Sequence, residues 1–411
     1  MADFYKLRNQ IKRYEWGSPD FIPRLMGHTS DMPFINGEPC AELWMGSHSG
    51  SPSLVSLPSG EMSLRELIAG DPRRYLGEKT AKRYDALPFL FKLLAAEKPL
   101  SIQAHPNLAQ AREGFERENM AALAHDAPNR SYRDSNHKPE IICALTSFTG
   151  MCGFRSPDEI RRLLGIFLDP APAPLREGFT PLVQALGMPM AESNPAAALR
   201  NFLEILFNLS PAVKNALTEF ILSAHGTEDC EWELMRDFAR LYPGDPSIIA
   251  PIYLNVFRLE PGEAVFLKAG ILHAYIHGLG VELMADSDNV LRGGLTAKHI
   301  DIPELMKVLD FNPLKPQIIK PDCSCFTYPA PCEEFSLTVI HGTGGTATLS
   351  ATLPAVFAQS ASIGIVTEGE ASVSGVILKQ GESAFFPPAG NGEDPLVLRG
   401  NFTLYIASVP Q

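Results

Sequence analysis

Between residues 156 and about 248 the chain reads as helix, whereas both flanks read as short strands separated by turns. The run Pro195 to Leu206 is rich in strong helix formers. Asn194 supplies an N-cap and Pro195 a first helical residue with no N–H to satisfy. Ser210-Pro211 marks a second start, ahead of helix-like stretches over 213–224 and 231–241, and Pro170, Pro172 and Pro174 punctuate the entry. Before 155 and after 249, apolar runs alternate with Gly and Pro turns. The expected fold class is mainly β with a helical insert. A short echo refines this: Gly262-Glu263-Ala264-Val265-Phe266 returns as Gly381-Glu382-Ser383-Ala384-Phe385, each followed by Ala-Gly. It suggests two related β-barrels. Gly270 is followed by Ile271-Leu272-His273 but Gly390 by Asn391-Gly392-Glu393, so chemistry and any metal are expected in the first barrel and not the second.

The most specific stretch is Ser101-Ile102-Gln103-Ala104-His105-Pro106-Asn107. In an extended segment Ser101, Gln103 and His105 share a face. A hydroxyl, an amide and an imidazole are costly to bury without partners. Downstream, Lys138 and Glu140 again stand two apart around a proline, and His273 precedes Tyr275 by two. Gln103, His105, Glu140 and His273 together offer two nitrogens and two oxygens, a set that suits one four-coordinate Zn2+ with room for a further ligand. A single carboxylate leaves such a centre near +1 and still a Lewis acid.

Composition narrows the classes. At 411 residues and 45% hydrophobic the chain is long enough for two or three packed units. A formal charge of −12 argues against nucleic acid or a membrane surface as partner. No apolar run reaches membrane-spanning length, and the N-terminus lacks a signal-peptide core. Seven cysteines, an odd number spread along the chain, do not read as a disulfide framework, so a cytoplasmic location is expected. Cys323, Cys325 and Cys332 lie close together, but without a fourth ligand nearby they read as incidental thiols.

Several segments together resemble the type I mannose-6-phosphate isomerase (phosphomannose isomerase) family of the cupin superfamily. They are Tyr14-Glu15-Trp16-Gly17, Ala41 to Gly46, Leu87 to Lys92, Ser101 to Asn107, Asn136 to Glu140, His273-Ala274-Tyr275 and Ser287 to Thr296, in family order. The resemblance implies a catalytic jelly-roll barrel over 1–155 and 249–322, a helical domain over 156–248 and a second cupin-type barrel over 323–411. It implies one zinc per chain on Gln103, His105, Glu140 and His273, an essential Arg292, and phosphate-site residues Lys92, Ser101 and Lys298. Trp16, Lys138, Tyr275 and Glu282 match residues lining the family's pocket. The implied partner is a small sugar phosphate and the implied state a monomer, acting in carbohydrate metabolism on the way to GDP-mannose. Two departures stand out: Gly293-Gly294 replaces a common Ala-Gly or Cys-Gly, and Asp286 stands where an asparagine is common. Asp286 is expected to face outward.

The implied reaction moves a carbonyl between C1 and C2 through a cis-enediol. It needs a proton shuttle, an electrophile for the enediolate oxygens and cations for the phosphate. Glu282 is the preferred base because a carboxylate is already ionised at neutral pH; Lys138 is the alternative. Two rival classes stay open at this point: a metal dioxygenase on a similar barrel, which would favour a His-rich iron site, and a non-catalytic sugar-phosphate sensor.

Overall fold

The computed structural model describes residues 4–27, 37–58, 60–187, 193–224, 230–343, 346–347, 360–373, 376–388 and 398–410. Among these, the strands form two antiparallel sheets, of ten and eleven strands. Helices dominate the stretch between two paired strands of the ten-stranded sheet, Phe148–Phe154 and Leu254–Leu259: Pro157–Leu168, Ala173–Ala185, Pro195–Phe207, Pro211–Ser223 and Cys230–Leu241. The Asn194 side chain accepts from the Ala197 N–H, and Ser210 accepts from Val213, so both expected caps form. Pro172 stands just ahead of Ala173–Ala185. The apolar faces of these helices merge with Ile102, Ala104, Met151 and Leu272 in one core. The helical block therefore packs against the sheet beside the strand that carries Gln103. No helix among the described residues is long and apolar enough to cross a membrane.

The strand Phe89–Ala96 is buried throughout, yet its two faces have different neighbours. Leu90, Lys92 and Leu94 line a cavity. Phe89, Phe91, Leu93 and Ala95 pack into a core shared with Leu337, Val339, Ile363 and Ile365 of the eleven-stranded sheet. This is the two-residue alternation of a strand with both faces covered. The second sheet thus serves as the backing of the first.

The long strand His273–Ala285 ties the site together. Its first residues pair with Ile102–Ala104 and Phe148–Phe154, and its later ones with Phe89–Ala96 and Glu140–Ala144. The changeover falls at Gly278, which has φ 124°, and a Cβ there would lie 2.7 Å from the Ser147 carbonyl oxygen. Gly278→Ala combines positive-φ strain with a backbone clash and is expected to cost about 2–4 kcal/mol. Urea unfolding would measure it, and a loss below about 1 kcal/mol would show that the strand relaxes freely around this point.

The sequence echo has a structural counterpart. Gly262 and Gly381 both sit at positive φ, 87° and 84°, and each leads into a short strand, Ala264–Leu267 or Ser383–Phe386. Ala389-Gly390 and Asn391-Gly392-Glu393 lie outside the described residues. Cys323, Cys325 and Cys332 are free thiols; Cys323 and Cys332 donate to the carbonyls of Cys325 and Phe335.

Candidate metal and substrate site

Antiparallel register builds the site. Gln103 lies directly across from His273 on one side and from Arg292 on the other, and directly opposed residues share a face. Glu140 opposes Met284, which puts it on the same face as Glu282 two residues earlier. Lys92 opposes both Glu282 and Trp44. The sequence spacing thus becomes one inner surface around a cavity of about 270 Å³. Every site residue expected from the sequence lines that cavity except His105 and His273, which close its floor beside Glu140.

At that floor His105, Glu140 and His273 are buried, with ligand atoms all within 4.8 Å of one another. His105 Nδ1 sits 2.6 Å from the Asn289 carbonyl oxygen and His273 Nδ1 2.8 Å from that of Ile271. A carbonyl only accepts, so both Nδ1 atoms carry hydrogen and both Nε2 atoms present a lone pair. Those lone pairs lie 3.2 and 3.3 Å from the two oxygens of Glu140. Burial, then the nearby Lys138 ammonium, pushes the His105 imidazole down to about 4, so it is neutral near pH 7. Burial opposes ionisation of Glu140, but the Lys138 ammonium holds its carboxyl well below the usual range. Two imidazole lone pairs facing a carboxylate repel it unless a cation lies between them. His105 Nε2, His273 Nε2 and Glu140 Oε2 are indeed buried without a hydrogen-bond partner. The donor set fits a metal ion, with Gln103 beside it; the Gln103 amide makes no hydrogen bond among the described residues.

The cavity wall is a charge lattice. Lys138 Nζ is 3.2 Å from Glu140 Oε1. Lys92 Nζ is 2.8 Å from Glu282 and 3.5 Å from Glu42, whose other oxygen accepts from Trp44 Nε1 at 2.7 Å. Burial disfavours the Lys92 ammonium, yet Glu282 and Glu42 outweigh it and hold its pKa above the usual value. Lys92, expected at the phosphate, is thus held by two carboxylates deep in the wall. Burial raises the Glu282 carboxyl, with Lys92 opposing and Glu140 and Glu42 adding to the rise. Among the described residues the buried Tyr275 hydroxyl meets no partner at hydrogen-bonding geometry, and burial with the Glu140 and Glu282 charges keeps it protonated.

At the mouth the charge changes sign. Arg292 and Lys298 line the cavity, and neither side chain makes an ion pair or hydrogen bond among the described residues. Burial lowers both pKa values, with like-charge neighbours adding to it. Ser101 and Trp16 line the same space.

Asp286 does not face outward. Its buried Oδ1 lies 3.6 Å from His48 Nε2, and Asp288 lies 3.5 Å from the same atom. His48 Nδ1 accepts from the Gly50 N–H, so Nε2 carries the hydrogen that points at both acids. The His48 imidazole beside it brings Asp288 down to about 2, whereas burial raises Asp286. The extra carboxylate thus lies against the buried His48. Sequence reasoning left out Glu42, Asp288 and Asn289. For Glu42 the signal was its place two residues before Trp44, on the same strand face. Asn289 shows no local pattern, because its partners Arg133, Asp134 and Asn136 are distant in sequence.

A family model, phosphomannose isomerase type I, catalytic domain, matches residues 4–157. The mannose-6-phosphate isomerase of Escherichia coli K12 is 38% identical over 407 residues, covering 96% of this chain and 97% of its own length. The human mannose-6-phosphate isomerase is 34% identical, covering 75% of this chain and 73% of its own. A zinc-bound crystal structure of mannose 6-phosphate isomerase superposes with a TM-score of 0.84 at 34% identity over all of both chains. A point variant of phosphomannose isomerase from Salmonella typhimurium gives 0.85 at the same identity and coverage. With nearly full-length identity of this order and a site of this composition, the chain belongs to the type I mannose-6-phosphate isomerase family.

Proposed function

We propose that the protein interconverts mannose 6-phosphate and fructose 6-phosphate through a cis-enediol, using one zinc on Gln103, His105, Glu140 and His273. One observation carries this reading. Among the described residues, three buried ligand atoms without hydrogen-bond partners close the floor of one cavity, and two cations without ion pairs, Arg292 and Lys298, line its mouth. The zinc would supply an electrophile for the substrate's C1 and C2 oxygens. In the same reading cupin-type jelly-roll barrels occupy 1–155 with 249–322 and 323–411, and 156–248 is an insert in the first, although the strands Tyr5–Arg8, Leu54–Leu57 and Gly60–Ser63 join the eleven-stranded sheet through Ser383–Phe386 and so extend the second unit beyond the expected bounds.

The residues divide the work. A proton leaves C2 and returns at C1, while the hydroxyl hydrogen passes from O2 to O1. Glu282 is the base: its raised pKa brings it nearer neutrality, where a general base works best. The ammonium of Lys92 fixes the orientation of that carboxylate from behind. Lys138, paired to Glu140, is the second candidate for the proton. Arg292 donates to the oxygens that gain charge in the enediolate. Lys298 and the Ser101 hydroxyl hold the phosphate at the mouth, which aligns the reacting carbons. Tyr275 donates its free hydroxyl hydrogen to a sugar oxygen, and Trp16 forms an apolar wall.

The test is a coupled assay with mannose 6-phosphate, run before and after chelation. Turnover should fall to background in the chelated protein and return on adding zinc. Undiminished turnover by protein shown to be metal-free would overturn the zinc assignment, and absence of turnover by the zinc-loaded protein would overturn the isomerase assignment.

A further inference from the structure

The strand that carries Arg292 ends on an irregular backbone. Arg292 opposes Gln103, but Gly294 opposes Ile102, so Gly293 is one residue too many for the ladder. Such a bulge bends its strand and re-aims the neighbouring side chain. Leu295 follows at φ 51°, one of two non-glycine residues at positive φ among the described residues, and its side chain is buried. A leucine holds that conformation only where its surroundings impose it. Arg292 precedes the distortion, Lys298 follows it, and both line the cavity.

The end of the helical block imposes it. Asp245 caps the single turn Pro246–Ile249. Its Oδ1 accepts from the Ser247 N–H at 2.8 Å and its Oδ2 from the Leu295 N–H at 2.7 Å. Ser247 Oγ donates to the Gly293 carbonyl at 3.0 Å. Ser247 is fully buried, and a Cβ on Gly294 would come 2.2 Å from its Oγ. Ile248 and Ile249 share a core with Leu291 and Leu295. The turn therefore grips three successive residues, by a hydrogen bond at 293, close contact at 294 and a second hydrogen bond at 295. Asp245 and Ser247 do not line the cavity themselves.

We propose that Asp245, assisted by Ser247, is a positioning residue for the reaction: it clamps residues 293–295 and so sets where Arg292 stands in the cavity. The inference rests on the isomerase reading for the role of Arg292, whereas the clamp is a property of the fold. Because Arg292 donates to charge that develops during the reaction, misplacing it belongs in kcat. A displacement of about 1 Å can cost on the order of 10²-fold.

The test takes Asp245→Asn and Ser247→Ala, each alone and combined with Arg292→Ala, in zinc-loaded protein of checked metal content. Asparagine keeps one acceptor oxygen and turns an amide NH2 toward the other donor. Ser247→Ala removes only the bond to Gly293 and changes no charge. In Asp245→Asn, hydrogen exchange at the Leu295 amide should speed up by about tenfold or more, since that N–H loses its acceptor. The same variant should lower kcat for mannose 6-phosphate by about tenfold, and Ser247→Ala by about threefold. In the Arg292→Ala background neither should lower kcat by more than about twofold, because the group they place is gone. A merely structural role would multiply the losses in both backgrounds. Such multiplied losses would overturn the proposal, as would unchanged exchange at Leu295, or faster exchange with a normal kcat. If the unsubstituted protein failed to turn over mannose 6-phosphate, the isomerase reading would fall while exchange at Leu295 still judged the clamp.

Discussion

Replacing Glu140 with alanine should leave the protein essentially without bound zinc and lower turnover by on the order of 10²-fold or more, since even groups that only orient a ligand are worth up to that much. Two terms add. The centre loses its one charged ligand, leaving two neutral imidazoles and an amide to hold a dication. The substitution also strands Lys138, which is buried and whose carboxylate partner at 3.2 Å is Glu140. Removing one member of a buried ion pair costs about 3–5 kcal/mol. Elemental analysis should find far less than one zinc per chain, and thermal unfolding should shift downward even in chelator, where no metal contributes to either protein. A variant that kept its zinc and most of its turnover would remove Glu140 from the ligand set. Glu140→Gln separates the terms, because it keeps the shape and loses the charge.

Arg292→Ala should lower kcat by on the order of 10²-fold or more, the range seen for losing one donor to transition-state charge. Lys298→Ala should act mainly on KM, because the phosphate it is proposed to hold is charged at every stage. The structure sharpens the contrast. Arg292 opposes Gln103 across the sheet and so stands in the row that leads to the metal ligands. Lys298 lies beyond the strand Leu291–Gly294, on an exposed stretch at the mouth. The separation need not be perfectly clean, since a loosened phosphate also displaces the reacting carbons. Kinetics on both variants, with zinc content checked, decides the matter. Normal kcat with a raised KM in Arg292→Ala would reassign the arginine to binding alone.

What could be read from the chain and what could not follow from the range of each interaction. Helix caps are local: Asn194 and Ser210 bond three residues ahead, and both were legible. The metal ligands come from three distant segments, but each segment carries its own alternation, and the family motifs supplied the pairing. The surroundings of single charges were not legible. Nothing local to Lys92 says that Glu282 and Glu42 converge on it from neighbouring strands, where the structure holds a buried ion-pair network on the cavity lining. Asp286 misled for the same reason: its partner His48 is remote in sequence. Long-range register decides such contacts, and one sequence encodes it only implicitly.

The strand Phe89–Ala96 faces the cavity with Leu90, Lys92 and Leu94 and the second sheet with its odd-numbered residues. These two sets answer to different selective pressures while sharing a backbone. A lineage can therefore alter what the pocket accepts by changes at 90 or 94 without disturbing the joint between the sheets, and can retune that joint at 89, 91, 93 or 95 without touching the pocket, while Lys92 is held by its ion pairs. Heritable variation along this strand should partition by parity, with pocket-facing positions drifting according to the sugar and joint-facing positions according to the partner sheet.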